Sequence, residues 1–534
     1  MRRAGTVLAM HAHLASNSVA VIGGGPAGLT AAKHLLEHGL QPVVLEASDD
    51  LGGQWHRDGE HSGIWEGMRT NTSKTMTAFS DFPPPESLPM FPRSEEIHDY
   101  LRAYASHFGV REHVRTLARV TEVRRDGDRW TVRWNEGPAA TPREGAFGAV
   151  VVASGRFSKP SFPDVPGLSS FAGRMMHAFD YRTRDELRGQ RVLVYGNSIS
   201  GLEIASELAL DSSIGVALAC RRARFVLQKV AAGVPADWQW FTRFAALLGR
   251  VLPPEALAAG LREQLLAVAG DPARYGAPAP HEDILATGLS QAQHYLALVA
   301  EGRISPRCEI AGVSGDVVEF ADGSRQAFDA ILCATGYHLD LGYLDEGVRS
   351  VLGVDGPYVE VHQRTLHPDL PGLGLLGQFV LQGPYFPVLE LQARWVAGVW
   401  SGAIEAPSDE RMRAGIEAYR QMRPMVRFDL YHVLVTALAE EIGVAPDLTA
   451  RPGLTAALLF GPLAPAQFRL DGPGALPEAE ELLVRAISDF GAAVPGGASG
   501  EQVAGLQAVA EALGSPELLR AAAIVAGDEV AAVA

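Results

Sequence analysis

The chain has 534 residues, a formal net charge of −16 and 47% hydrophobic side chains, which is length for about three domains and ample apolar material for a large core. The acidic balance, with no basic block, argues against a nucleic-acid partner. Only three cysteines occur, Cys220, Cys308 and Cys333, without CxxC spacing; this points to a reducing, cytoplasmic setting and against a dithiol redox centre or a structural zinc.

In chain order, "MRRAGTVLAMHAHLASNS" has the two arginines and short apolar run of a secretory signal. His11 and His13 interrupt that run, so it reads as a disordered or capping extension. No stretch approaches the ~20 apolar residues of a membrane span, so a soluble chain without membrane contact is expected. Next comes "VIGGGPAGLTAAKHLLEHGLQPVVLEASDDLGGQW": an apolar strand, a glycine turn, a helix with Leu29, Ala32, Leu35 and Leu36 at helical spacing, and a second strand. Gly23 allows the tight turn, Gly25 lets a pyrophosphate approach, and Gly28 lets the helix pack close. The second strand ends on Glu46, 18 residues beyond Gly28, an acid able to take both ribose hydroxyls.

A second unit follows in "QRVLVYGNSISGLEIASELA". Gly196 and Gly201 keep their places, but Ser198 replaces the middle glycine. Its β-carbon restricts the approach of a phosphate, while its hydroxyl and that of Ser200 offer hydrogen bonds instead. The next strand ends on Arg221 and Arg222, where a guanidinium can grip a 2′-phosphate. The pair of units predicts a flavoprotein with FAD in the first and NADPH in the second. "FGAVVVASG" (147–155) and "FDAILCATG" (328–336) are buried strands on either side of the second unit. The expected architecture is therefore α/β: two Rossmann-like domains, with the NADPH domain inserted in the FAD domain, plus a helical C-terminal appendage. The expected divisions are 15–165 and 326–474 for FAD, 166–325 for NADPH and 475–534 for the appendage.

Some patterns are set aside. His34-Leu35-Leu36-Glu37-His38 matches a zinc-peptidase spacing but lies inside the first helix, and no metal is expected. "GNSIS" lacks the glycine a nucleophile elbow requires at position 200. "ADWQWFTRF" (236–244) could line an entrance or be ordinary core or surface helix, and the ordinary reading is preferred. The tail is Ala- and Leu-rich, with two stretches at helical spacing around "VPGGASG". It is a candidate for homodimer contacts or for covering the site.

From about Ser18 to Gly474 the chain resembles the flavin-containing monooxygenases. "LGGQW" (51–55) and "NTSKTMTAFSDFP" (71–83) look like that family's flavin-side segments. "FAGRMMHAFDYR" fits its FxGxxxHxxxY pattern through Phe171, Gly173, His177 and Tyr181. "LELQARW" (389–395) and "FGPLAPAQFRLDGPG" (460–474) are similar to its C-terminal signatures. The resemblance implies reduction of the flavin by NADPH, formation of a C4a-hydroperoxide with O2, and oxygen transfer to the nitrogen or sulfur of a small amine or sulfide. It implies that Asn71 holds the oxygenated flavin, that Gly53, Gln54, Trp55 and Thr72 line it, and that Val120 offers backbone bonds to adenine. His177 belongs to a segment joining the domains. Gln378 matches the family's cofactor-contacting glutamine only with a gap, because "GQFVLQGPYFPV" carries about two extra residues. Tyr181 stands where Baeyer–Villiger relatives have tryptophan. A Baeyer–Villiger enzyme or an NADPH oxidase on the same scaffold remains the alternative, followed by a flavin-bound regulatory protein in which Ser198 has weakened NADPH turnover.

Overall fold

The computed structural model describes residue 14 and residues 16–59, 61–354, 358–423, 428–490 and 497–527. Most of the N-terminal extension, and residues 494–496 of the glycine-rich break in the tail, lie outside these.

Two five-stranded parallel sheets organise the chain. The first runs Leu373–Leu375, Ala149–Val152, Ser18–Ile22, Gln41–Leu45, Val114–Arg115. Its central strands are almost wholly buried, because helices and neighbouring elements cover both faces of a parallel sheet. The helix Pro26–Glu37 opens with proline at its first position, where no amide hydrogen bond is lost. It packs along Phe386–Ser401, itself buried over nearly its whole length.

The second sheet runs Ile304–Arg307, Gly215–Ala219, Arg191–Tyr195, Ala330–Cys333, Arg174–His177. This corrects one expectation. The strand inside "FDAILCATG", assigned to the returning FAD segment 326–474, pairs with Arg191–Tyr195 and Arg174–His177 in the second sheet. An all-apolar strand is suited to either sheet, and only its partners decide. The strand that does return to the first sheet is Leu373–Leu375. Each parallel sheet is accompanied by an antiparallel meander of three strands.

The tail forms helices over Ala479–Phe490, Gly500–Leu513 and Pro516–Ala526. Leu506, Val509, Ala510, Leu518 and Ala521 join the main hydrophobic core, so these helices are integral to the packing. Among the described residues no helix is long and apolar enough to cross a membrane.

A buried polar cluster ties the first helix to the C-terminal signatures. The Arg469 guanidinium donates to Glu390 Oε1 (2.8 Å), Asp81 Oδ2 (2.8 Å) and Ser80 Oγ (2.6 Å). Lys33 pairs with Asp81, and the Ser80 amide and hydroxyl both donate to Glu390. Burial pushes the Glu390 carboxyl up, but the cations around it, Arg469 foremost, outweigh this and hold it well below the usual carboxylate range. Arg394 secures the last signature by donating to the carbonyls of Phe468 and Pro473, both at 2.8 Å. His34, from the discarded zinc pattern, lies fully buried beside this cluster with Nδ1 on Glu37.

Removing one partner of a buried ion cluster leaves the other charge uncompensated, at about 3–5 kcal/mol. Arg469→Met should therefore cost about that much stability, read as a lower urea midpoint and melting temperature. Arg394→Met loses two carbonyl bonds and a lesser share of the attraction to Glu390, and should cost less. Equal stability of Arg469→Met and the parent would show that the cluster does not hold these segments together.

Candidate functional site

The two glycine turns share one geometry. Gly23 (φ +103°) follows the first strand, and a β-carbon there would lie 2.6 Å from the Ala153 carbonyl oxygen. Gly196 (φ +124°) follows the equivalent strand of the second sheet, where a β-carbon would overlap the Ala334 carbonyl. Gly28 and Gly201 stand one helical turn on, each pressed against the carbonyl of the turn's first glycine. The middle positions differ in kind. Gly25 (φ −79°, ψ −173°) and Ser198 (φ −81°, ψ 179°) are both in extended backbone that any residue adopts, so the serine brings no strain. Neither helix has a side-chain cap or an acid in its first turn. Their amide groups are thus left to an anionic ligand.

Both turns open into one cavity of about 2190 Å³. A single small-molecule site is roughly 300–1,000 Å³, so this cavity has room for more than one ligand. Glu46 is on its wall, buried, accepting from the amides of Gly24 (2.6 Å) and Ser48 (2.7 Å). Arg221 and Arg222 are exposed on the wall beyond the second turn, joined there by Arg224, which the sequence reading omitted. Asn197 fixes that corner by donating to the Arg222 carbonyl at 2.7 Å. Gly196, Ser198 and Ser200 line the same end. Gly53, Gln54 and Trp55 form a short helical turn packed against Gly25, and Val120 stands at a bulge in its strand; all four reach the cavity.

Three predicted residues are not on the wall. Gly28 and Gly201 act behind the turns. Gln378 is buried just off the wall, donating to the Leu376 carbonyl at 3.3 Å, whereas Gln382 of the same segment faces the cavity.

Asn71 lies on the wall with its side-chain oxygen buried and without a hydrogen-bond partner. Its loop is held from both sides by residues far along the chain. Before it, Lys229 donates to the Thr70 carbonyl (3.3 Å) and pairs with Glu203 (3.1 Å). After it, the Ser73 amide and hydroxyl donate to Asp237 Oδ2 at 2.7 and 2.9 Å, and the Trp238 indole donates to Ser73 Oγ at 2.9 Å. Thr72 is fixed on Thr77 at 2.7 Å. Asp237 is 1% exposed, lines the cavity and has its Oδ1 without a hydrogen-bond partner. Burial pushes its carboxyl up to about 6, against the opposing pull of the Ser73 hydrogen bonds.

"ADWQWFTRF" is therefore neither ordinary core nor ordinary surface. Ala236, Asp237, Gln239, Trp240, Phe241 and Phe244 all line the cavity. Its signal in the sequence was a lone acid among four large aromatics. The C-terminal helix Gly500–Leu513 backs this wall, with Gly505 against Phe244, and contributes Gln502 to the lining. The FxGxxxHxxxY motif has a mainly structural basis. Gly173 allows close approach to the Asp329 carbonyl, and Tyr181 is buried with its hydroxyl 3.4 Å from Glu207. His177 accepts from the Phe179 amide at Nδ1 (3.0 Å) and reaches the cavity wall; burial lowers its basicity.

These residues fit FAD and NADPH. Two uncapped helix N-termini suit two diphosphates, Glu46 suits a ribose diol, and the arginine pair suits a 2′-phosphate. The unpartnered Asn71 Oδ1 and Trp55 Nε1 suit the polar edges of a ring system.

Comparison with known proteins agrees. The flavin-binding monooxygenase-like family profile matches residues 16–488. Flavin-containing monooxygenase 5 of Cavia porcellus is 31% identical over 495 residues, covering 85% of this chain and 89% of the relative. Two solved structures share the fold. The S-allyl-L-cysteine S-oxygenase of Allium sativum has a TM-score of 0.60 at 23% identity, covering 89% of this chain and 98% of its own. A cyclohexanone monooxygenase variant from Rhodococcus sp. Phi1 has a TM-score of 0.59 at 19% identity, covering 80% and 97%. With two dinucleotide turns opening on one cavity and a family match over most of its length, the chain belongs to the flavin-binding monooxygenase-like family and is a FAD-dependent NADPH monooxygenase.

Proposed function

We propose that this enzyme oxygenates a soft nucleophilic nitrogen or sulfur of a small molecule. In this reading, one atom of O2 goes to the substrate, and the other leaves as water with the hydride of NADPH and a proton. The observation that carries the reading is the single cavity joining both glycine turns, with the Asn71 amide oxygen free on its wall. FAD would lie at Gly23, Gly25, Glu46 and the Gly53–Trp55 turn. NADPH would lie at Gly196, Ser198, Ser200 and the Arg221–Arg222 pair. The NADPH unit would run from residue 166 to about residue 333, since the strand Ala330–Cys333 pairs in the second sheet.

When bound, the flavin supplies hydride acceptance and oxygen activation. The chain supplies position and dryness. Asn71, an amide that donates and accepts without titrating, holds a polar contact at the flavin edge. Lys229 and Asp237 fix its loop. The aromatic segment 236–244, backed by the tail, keeps water from the reacting oxygen.

Oxygen uptake, NADPH consumption and peroxide release, measured with a tertiary amine, a thioether and a cyclic ketone, test the reading. N-oxide or sulfoxide equal to the NADPH consumed is expected. Ester from the ketone alone, or peroxide equal to NADPH with every substrate, would overturn it. Asn71→Ala should keep FAD yet raise the peroxide share of consumed NADPH by roughly tenfold, the scale of losing one positioned polar group. Arg222→Ala should raise the KM for NADPH by roughly tenfold or more and leave that for NADH unchanged; equal effects on both would move the 2′-phosphate site elsewhere. Asp237 also makes a pH prediction. Between the ordinary Asp range and about 6, the folded chain holds a proton on Asp237 that the unfolded chain has lost. Stability therefore falls as pH rises through that window, by up to about 3 kcal/mol from this group. Asp237→Asn should lack that fall, and melting temperatures between pH 4 and 7 that fall equally in both proteins would refute the assignment.

A further inference from the structure

Arg156 is a buried cation without an ion-pair partner among the described residues. It follows Gly155 at the carboxyl end of the first sheet's strand Ala149–Val152, is 5% exposed, and lines the cavity. Its Nη1 is buried without a hydrogen-bond partner, and no carboxylate pairs with it among the described residues. The one acid shown to act on it, Asp429, is already committed. Asp429 is held by Arg364, whose Nε donates to it at 3.0 Å and whose guanidinium stacks on Tyr419 at 3.5 Å. The Tyr385 hydroxyl is occupied too, accepting from the Leu381 amide at 2.8 Å. The rings that face the guanidinium are those of Tyr358, Tyr385 and Tyr419, of which Tyr358 and Tyr385 also line the cavity.

An unpaired buried charge is strongly unfavourable unless a counter-ion arrives from outside. The guanidinium fork matches a carboxylate or a phosphate. The diphosphates and the 2′-phosphate of the cofactors already have the two helix N-termini and the Arg221–Arg222 pair, at turns built for them. What remains for Arg156 is the substrate. We propose that Arg156 forms an anion subsite that receives a carboxylate carried by the amine or sulfide, so that the enzyme selects acidic substrates. The inference rests on the heteroatom-oxygenation reading above for the identity of the ligand, and on the unpaired guanidinium for its charge. Burial, which lowers the proton affinity of Arg156, acts in the same direction, because an anion would offset it.

The test uses the FAD-loaded enzyme with NADP+ and two probes, 3-(methylthio)propanoate and its methyl ester. Binding is read from the flavin absorbance change, and turnover from sulfoxide formed with NADPH. The acid should bind roughly tenfold or more tighter than the ester. That ratio should fall in the order wild type, Arg156→Lys, Arg156→Gln, with FAD content and the Kd for NADP+ unchanged. A ratio that is the same in the parent and in whichever variants load FAD overturns the proposal. So does a Kd for NADP+ weakened roughly tenfold in Arg156→Gln with the ratio intact, since the guanidinium would then serve a cofactor phosphate. The two readings fail separately. Tighter binding of the acid without oxygenation of either probe keeps the subsite and sinks the oxygenation reading. Oxygenation of both probes with no preference for the acid does the reverse.

Discussion

Arg469 stands where distant parts of the chain meet. Its guanidinium bonds Ser80 and Asp81 in the flavin-side segment and Glu390 in the long buried helix, while Lys33 joins Asp81 from the first nucleotide helix. These are charged groups in a core where isolated charges are strongly disfavoured, so they persist only as a set. The set fixes the helix behind the first glycine turn against Phe386–Ser401 and against the segment that leads back to Asn71. A ligand site formed by widely separated residues needs such a brace, because its geometry cannot be kept by local backbone preference alone.

The same logic recurs on a smaller scale around Asn71. Residue 70 is held by Lys229 and residue 73 by Asp237. The loop expected to face the flavin is thus positioned by side chains that follow the second nucleotide turn. The place of Asn71 therefore depends on the 229–237 segment as much as on its own loop. The carboxyl of Asp237, buried and bonded through one oxygen only, is the titratable part of that support.

Much of the fold was legible because local backbone demands leave local marks. Gly23, Gly28, Gly196 and Gly201 sit where a β-carbon would strike a carbonyl, so the chain must spell glycine there. Pro26 at a helix start and the apolar runs of the parallel strands are marks of the same sort. Ser198 departs from the fingerprint without backbone strain. Its backbone is ordinary extended chain, so the middle glycine of the fingerprint is a matter of ligand approach and not of conformation. The C-terminal tail was read correctly as helical, but its contribution to the core and to the cavity wall depends on what it meets.

The sequence by itself determined two dinucleotide turns, an acid at the end of one and arginines at the end of the other, and a chain-long resemblance to one enzyme family. Those features are set by residue type at fixed spacing. Tertiary structure decided the rest: the sheet that takes Ala330–Cys333, the choice of Gln382 over Gln378 for the cavity, the placing of 236–244 on the wall, and the isolation of Arg156. Each of these depends on which side chains come together across hundreds of residues. An arginine, a glutamine or an apolar strand looks the same in the sequence whether its partner is present or missing.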